Sequence, residues 1–316
     1  MKNSEKRTRA TNFHQEFVAS ANDEKMNNAE FDKLATSYDD WHAQLISGSG
    51  WPREYFLEYK IKEMSRVLSR IARRSRPSSP SLDKENTAPQ QDAHSALLLP
   101  PTETVEQSPN TLKILDFGCG VGDVTPYIRK YFPHAEIFGV DISRECIETA
   151  RAKIFPSIHY APLPDGWPHC GTNTADDHAY CNVNANTLPP FPFSETFDLV
   201  FISNVFHHTT PDTHAAVLAA LHAQMNKNAQ LFIFEINPYN PATRHVFNKY
   251  EKPIDKNANL VNPRRLNKLM REAGFATSRN KYTVFFPRAL RFLLPLERPL
   301  NWLPLGAHYY MHGSAR

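Results

Sequence analysis

Two sets of residues in this chain have the types and spacing to do chemistry. The first is Asp116-Phe-Gly118-Cys-Gly120-Val-Gly122, a carboxylate followed by alternating glycines at the end of an apolar run. A second acid, Asp141, closes the later run Ile137-Phe-Gly-Val. Alternating glycines let backbone approach a ligand without Cβ contacts and bring the N–H groups of a helix start near it. A carboxylate at the end of the next strand can accept hydrogen bonds from both hydroxyls of a ribose. The spacing predicts a nucleoside cofactor site that draws on Asp116, Phe117, Gly118, Cys119, Gly120, Asp141 and Ile142. The second set is His207-His208, just past the apolar run Phe197–Asn204, with Glu235 ending the following run. A histidine titrates near neutrality and can serve as a general base, with Glu235 as the alternative proton acceptor. The competing role for either histidine is to cap or underpin the next helix.

Which nucleoside the site takes depends on its charge. Nicotinamide sites usually carry G-x-G-x-x-G, whose third glycine allows close helix–strand packing. Here that position is Asp123, and Asp116 adds a carboxylate that would repel a pyrophosphate. The segment resembles motif I of the class I S-adenosylmethionine-dependent methyltransferases, in which Asp116 suits the positively charged amino-acid end of the cofactor. Asp141 matches the ribose-binding acid of that family, and Phe197–Asn204 resembles its fourth motif, where the strand end lies beside the reactive methyl. The resemblance implies S-adenosyl-L-methionine as cofactor, adds Ser203 and Asn204 to its contacts, and places His208 and His207 at the methyl group. The loop Asn237-Pro-Tyr-Asn-Pro241 and the stretch Pro304–Tyr310 look like a group of small-molecule methyltransferases similar to the ubiquinone-biosynthesis type. Some of these are associated with sugar or polysaccharide modification, which favours an oxygen acceptor.

The elements that must position these groups are legible in outline. Apolar runs at Ile114–Phe117, Ile137–Asp141, Phe197–Ser203 and Gln230–Glu235 read as strands of a doubly wound, mostly parallel α/β sheet. The resemblance extends this to a Rossmann-like sheet of seven strands with an antiparallel last strand. Tyr282–Phe286 and His308–His312 are expected as its closing antiparallel pair. Thr210-Pro211-Asp212 carries start signals for a helix, and Pro263–Ala273 a second one with Gly274 as its stop. The third strand has two readings. Either Ile158–Ala161 is the strand and Asp165 contacts the adenine, or Ala179–Val183 is the strand and Asn184 makes the contact.

Ligands in open α/β sheets bind beyond the carboxyl ends of the strands. That places Glu235, Asn237, Tyr239, Asn240 and the nearby Arg244 where a substrate would be met, with Tyr38 as a further substrate contact, although Asn and Pro also serve a tight loop with no ligand at all. Tyr38-Asp-Asp-Trp41 resembles the N-terminal helix that lids the cofactor in many relatives, with Tyr38 facing the sulfonium; the competing reading is a helix docked by its apolar face. Cys170, Cys181, His169 and His178 match no common zinc spacing, and no metal is expected. The aromatic and basic segment 285–304 suits a peripheral membrane or lipid contact, or else packing on the domain or a homodimer contact.

Composition narrows the class. At 316 residues the chain fits one large α/β domain with an appendage. A net charge of +3 without a basic block gives no expectation of nucleic-acid binding, and the motifs of DNA-base methyltransferases are missing after the fourth strand. Four cysteines without a C-x-x-C pair, no apolar run of membrane-spanning length and no apolar signal core point to a cytoplasmic protein. The expected organisation is a disordered tail over 1–28, a helical lid over 29–75, a Pro/Ser-rich linker over 76–110 and the catalytic domain over 111–316. The expected activity is methyl transfer to a small-molecule acceptor. The alternatives are a non-catalytic cofactor-fold scaffold and a nicotinamide-dependent oxidoreductase.

Overall fold

Four apolar runs and the segment Ile158–Pro162 become the parallel half of one sheet. A computed structural model describes residues 46–74, 111–153, 157–167, 188–252, 255 and 258–316. The strands are β1 (Lys113–Phe117), β2 (Glu136–Asp141), β3 (Ile158–Pro162), β4 (Phe197–Ser203) and β5 (Met225–Ile236), then β6 (Phe275–Thr277), β7 (Lys281–Thr283) and β8 (His308–Ala315). Their order is β3-β2-β1-β4-β5-β8-β6, with β7 also paired to β8. Strands β1 to β5 pair in parallel, and β8 runs antiparallel to β5, β6 and β7. The order reverses between β1 and β4, which opens a crevice at their carboxyl ends.

Alternation along these strands feeds two cores. Leu115, Val200, Ile202, Leu231 and Ile233 face one side, beneath α4 (His214–Ala223) and α6 (Pro263–Glu272). Ile114, Leu199, Phe201, Phe232 and Phe234 face the other, against α1 (Arg53–Arg74) and α2 (Thr125–Tyr131). A strand buried on both faces needs no polar alternation, which is why these runs read as continuously apolar. The remaining helices are α3 (Arg144–Ala152), capped by Ser143, and α5 (Pro241–Val246), capped by Asn240, with the short α7 (Glu297–Leu300) before β8.

Several expectations are corrected. The third strand is not among them: Ile158–Pro162 pairs with β2, as the first of its two readings has it. The closing strand is split into β6 and β7, and β7 stops at Thr283 because Val284 turns into the left-handed region at φ 59°. Thr210 makes no side-chain cap; a 3-10 turn over Pro211–Thr213 precedes α4 instead. The buried stripe of α1 is Phe56, Lys60, Ile61 and Met64. Tyr38, Trp41, Asn184 and the Cys/His set of 169–181 lie outside the described residues. No helix among the described residues is long and apolar enough to cross a membrane. Phe292 and Trp302 in segment 285–304 are 71% and 70% exposed.

Candidate active site

The crevice is a cavity of about 760 Å³ lined from the ends of β1, β2, β4 and β5, from α1, and from the segment 240–255. Its floor is the turn after β1. Gly118 has φ 75°, and a Cβ there would come within 2.2 Å of Val205 Cγ2, so this glycine is needed by the protein's own packing rather than by ligand clearance. Gly120 has φ 53° and a Cβ there would meet nothing within 4 Å, so its backbone is bare toward the cavity. The Gly120 N–H donates to Asp141 Oδ2 at 2.8 Å and the Ser143 N–H to Oδ1 at 3.0 Å. These bonds orient the carboxylate and leave each oxygen a further lone pair.

Deeper in, Asp116 is 2% exposed and its Oδ2 has no hydrogen-bond partner; the same holds for Asn204 Oδ1. Burial, reinforced by the charge of Asp141 and opposed by Lys60, pushes the Asp116 carboxyl up to about 7. Lys60, 4% exposed, donates to Ser203 Oγ at 2.5 Å, and burial depresses its ammonium to about 8 against the opposing charges of Glu235 and Asp116. A buried acceptor without a donor is costly. Two of them on the wall of one cavity fit a ligand that brings a cationic donor. The amino group of S-adenosylmethionine is such a donor, and Asp141 suits its ribose. Cys119 is buried and its thiol is pushed up by that burial, so it serves packing rather than nucleophilic chemistry. Phe117 packs on Trp167 with ring centroids 5.9 Å apart, and Ile142 lines the cavity.

The other end of the cavity holds a cluster of histidines and carboxylates. Glu235 is fully buried and accepts from the N–H groups of Val205 and Phe206, at 3.1 and 2.8 Å, and from His207 Nδ1 at 2.7 Å. Burial alone would depress the His207 imidazole, but Glu235 and then Glu251 outweigh it and hold it up to about 10. His208 lies against it at a tilt of 44°, with ring centroids 4.0 Å apart, and its Nδ1 lies 2.8 Å from Asp255 Oδ2. Glu251, at the end of a π-helical turn over Phe247–Glu251, is 2% exposed and approaches both Nε2 atoms.

Most of the expected cofactor residues therefore meet here: Asp116, Phe117, Gly118, Cys119, Gly120, Asp141, Ile142, Ser203 and Asn204 all line the cavity, as do His207 and His208. Glu235 lies beneath the histidines, and three peptide and ring donors occupy it, which fits an orienting role better than that of a base. Asp165 is placed elsewhere. Its side chain is 87% exposed beside Arg144, while Leu163 occupies the wall it was expected to form. Asn237 is buried and spends its amide on the carbonyls of Pro304 and Gly306 and its Oδ1 on the Tyr239 N–H. Tyr239 and Arg244 do not line the cavity; the expected Asn240 does, joined by Thr243 and His245 of α5.

Lys60, Glu251 and Asp255 were missed. Lys60 carried a signal, a lysine four residues from both Phe56 and Met64 within one buried helical stripe. Glu251 and Asp255 carried none, since acids in a polar stretch are ordinary.

A family model described as a methyltransferase domain matches residues 56–279. The trans-aconitate 2-methyltransferase of Methylobacterium radiotolerans is 38% identical over 77 residues, which is 24% of this chain and 28% of that protein. The malonyl-[acyl-carrier protein] O-methyltransferase of Legionella pneumophila is 28% identical over 127 residues, 40% of this chain and 37% of that one. The chain thus spans little more than a third, at most, of these curated relatives. A solved SAM-dependent methyltransferase from Archaeoglobus fulgidus shares 18% identity with a TM-score of 0.42, over 65% of this chain and 86% of that one.

Proposed function

Because the chain belongs to the class I S-adenosylmethionine-dependent methyltransferase family, we propose that it transfers the cofactor's methyl group to an oxygen of a hydroxyl-bearing small molecule. The observation that carries this reading is the joining of two chemistries in one cavity. Asp116, Gly120 and Asp141 stand on one wall and the His208–Glu251–Asp255 cluster on another. S-adenosylmethionine supplies an electrophilic methyl on a sulfonium, whose sulfur keeps the bonding electron pair when the methyl leaves.

What remains for the protein is to hold the acceptor in line and to remove its proton. Asp141 anchors the ribose and Asp116 with Asn204 the amino group, so the methyl is directed toward the end of β4. Asn240, Thr243 and His245 meet the acceptor at the rim. Proton removal is placed at the His208–Glu251 end of the cluster, because His208 is 22% exposed there while His207 is sealed beneath it. The name of the Legionella relative, an O-methyltransferase, accords with an oxygen acceptor.

The rival scaffold reading gives no reason for Asp116 and Asn204 to face a cavity unpartnered. A nicotinamide reading must place a pyrophosphate near the buried Asp116. The test is to incubate the chain with S-[methyl-³H]adenosylmethionine and a size-fractionated metabolite extract. Label in a small-molecule product with base-stable, ether-type attachment supports the reading. Label confined to protein or nucleic acid contradicts it.

A further inference from the structure

We infer that His207 Nε2, His208 Nε2 and Glu251 Oε1 form a binding site for a divalent transition-metal cation of the zinc class at the acceptor end of the cavity. The three atoms lie within 4.8 Å of one another. Glu251 Oε1 stands 3.7 Å from His207 Nε2 and 3.4 Å from His208 Nε2. Metal–ligand bonds of about 2.0–2.1 Å separate neighbouring ligand atoms by roughly 3.0–3.4 Å, so Glu251 needs only small shifts to share a cation with either histidine. A direct charge-assisted hydrogen bond would draw the same atoms to about 2.7–2.9 Å. Both Glu251 distances are longer than such a bond, and the two imidazoles would draw together around a shared cation.

The surroundings of the ligands support the same assignment. A metal-binding histidine almost always donates its other ring N–H to a carboxylate or carbonyl, which fixes tautomer and orientation. Both histidines meet this condition, with His207 Nδ1 2.7 Å from Glu235 and His208 Nδ1 2.8 Å from Asp255. Each Nε2 is thereby turned toward Glu251. Charge gives an independent argument. Asp116, Glu235, Glu251 and Asp255 are all buried around this cavity, and Lys60 is the one buried Lys or Arg side chain among the described residues. Lys60 and the His207 imidazolium supply part of the positive charge that such burial requires, and a divalent cation displacing the His207 proton would add one more. Two imidazoles and one carboxylate suit zinc, cobalt, manganese or iron better than magnesium, and leave coordination positions open toward the cavity. The acceptor oxygen would occupy one of them; with the metal bound both His208 nitrogens are engaged, and the acceptor's proton would go to the second oxygen of Glu251 or to solvent instead. This role rests on the transferase reading, whereas the site itself does not.

The test uses the full chain, stripped with EDTA and titrated by calorimetry with Zn²⁺ and Co²⁺, with S-adenosylhomocysteine binding measured in parallel. The expected result is one equivalent of metal bound, with Co²⁺ absorption bands free of thiolate charge transfer. Glu251→Gln should weaken the metal at least tenfold and Asp255→Asn by roughly 10–100-fold, both with S-adenosylhomocysteine affinity retained. A Cys170→Ser/Cys181→Ser variant should bind metal as the parent does. Absence of stoichiometric binding at millimolar metal, equal binding by Glu251→Gln, or loss of binding in the cysteine variant would each overturn the site. Metal binding without any S-adenosylhomocysteine binding would leave the site standing and fault the transferase reading instead.

Discussion

Lys60 and Ser203 meet 2.5 Å apart, Nζ to Oγ, although 143 residues separate them in the chain. The contact ties the amino-terminal helix α1 to the end of β4 and sets a buried ammonium beside Asp116 and Glu235. Replacing it by Lys60→Met keeps the apolar stem and removes the charge. The variant should lose about 2–4 kcal/mol of stability, because it leaves buried carboxylates uncompensated. The double variant with Asp116→Asn should lose less than the two single costs added together. Urea denaturation of the four proteins measures this; strict additivity would show that Lys60 and Asp116 do not interact.

Asp141 does two jobs, bracing the turn through Gly120 N–H and Ser143 N–H and presenting its remaining lone pairs to the cavity. Asp141→Ala should weaken S-adenosylhomocysteine binding by roughly 2–5 kcal/mol, the loss of two charge-assisted hydrogen bonds. Calorimetry on a variant with a native circular dichroism spectrum is the check. Unchanged affinity would remove Asp141 from the ribose site.

Asp116 predicts a pH dependence. With its carboxyl pushed up to about 7, it is protonated below neutrality and ionised above, and only the ionised form pairs with the ligand's ammonium. Affinity for S-adenosylhomocysteine should therefore rise with pH, being about tenfold weaker at pH 6 than on the alkaline plateau. Asp116→Asn should flatten this profile. For the unliganded fold the sign is opposite. A carboxyl whose folded pKa is raised contributes stability below its unfolded value, near about 4, and loses it as pH rises through about 7. Relative to Asp116→Asn, the unliganded parent should become less stable between those two limits.

Glu235 and His208 should separate stability from turnover. Glu235→Gln disturbs three bonds in a fully buried place and should lower stability by about 2–4 kcal/mol. His208→Asn, at the cavity edge, should keep cofactor affinity and lose about two to four orders of magnitude in turnover. Thermal melts and initial rates on the same preparations decide. Near-normal turnover in His208→Asn would leave positioning alone as the source of rate.

How much of this was legible in sequence follows from how local each signal is. Gly118, Gly120 and Asp141 were readable because a strand, its turn and the next strand lie within thirty residues and each obeys a local rule. The strand–histidine order at Phe197–His208 was readable for the same reason. Asp165 was misplaced because an Asp-Gly pair just after a strand is also a plain turn, and here the chain points Leu163 inward and Asp165 to solvent. Asn237 was misjudged because buried loops need internal donors, and its amide went to Pro304 and Gly306. Lys60, Glu251 and Asp255 meet the site only through tertiary packing. Nothing beside them in the chain distinguishes them from solvated charges, save the helical stripe that Lys60 interrupts.

The most direct measurement is calorimetric titration of the purified chain with S-adenosylmethionine, S-adenosylhomocysteine and NADH. The expected result is saturable binding of the first two at one site, lost or strongly weakened in Asp141→Ala, and no binding of NADH. Binding of NADH, or no binding of either adenosyl ligand by a folded protein, would contradict it.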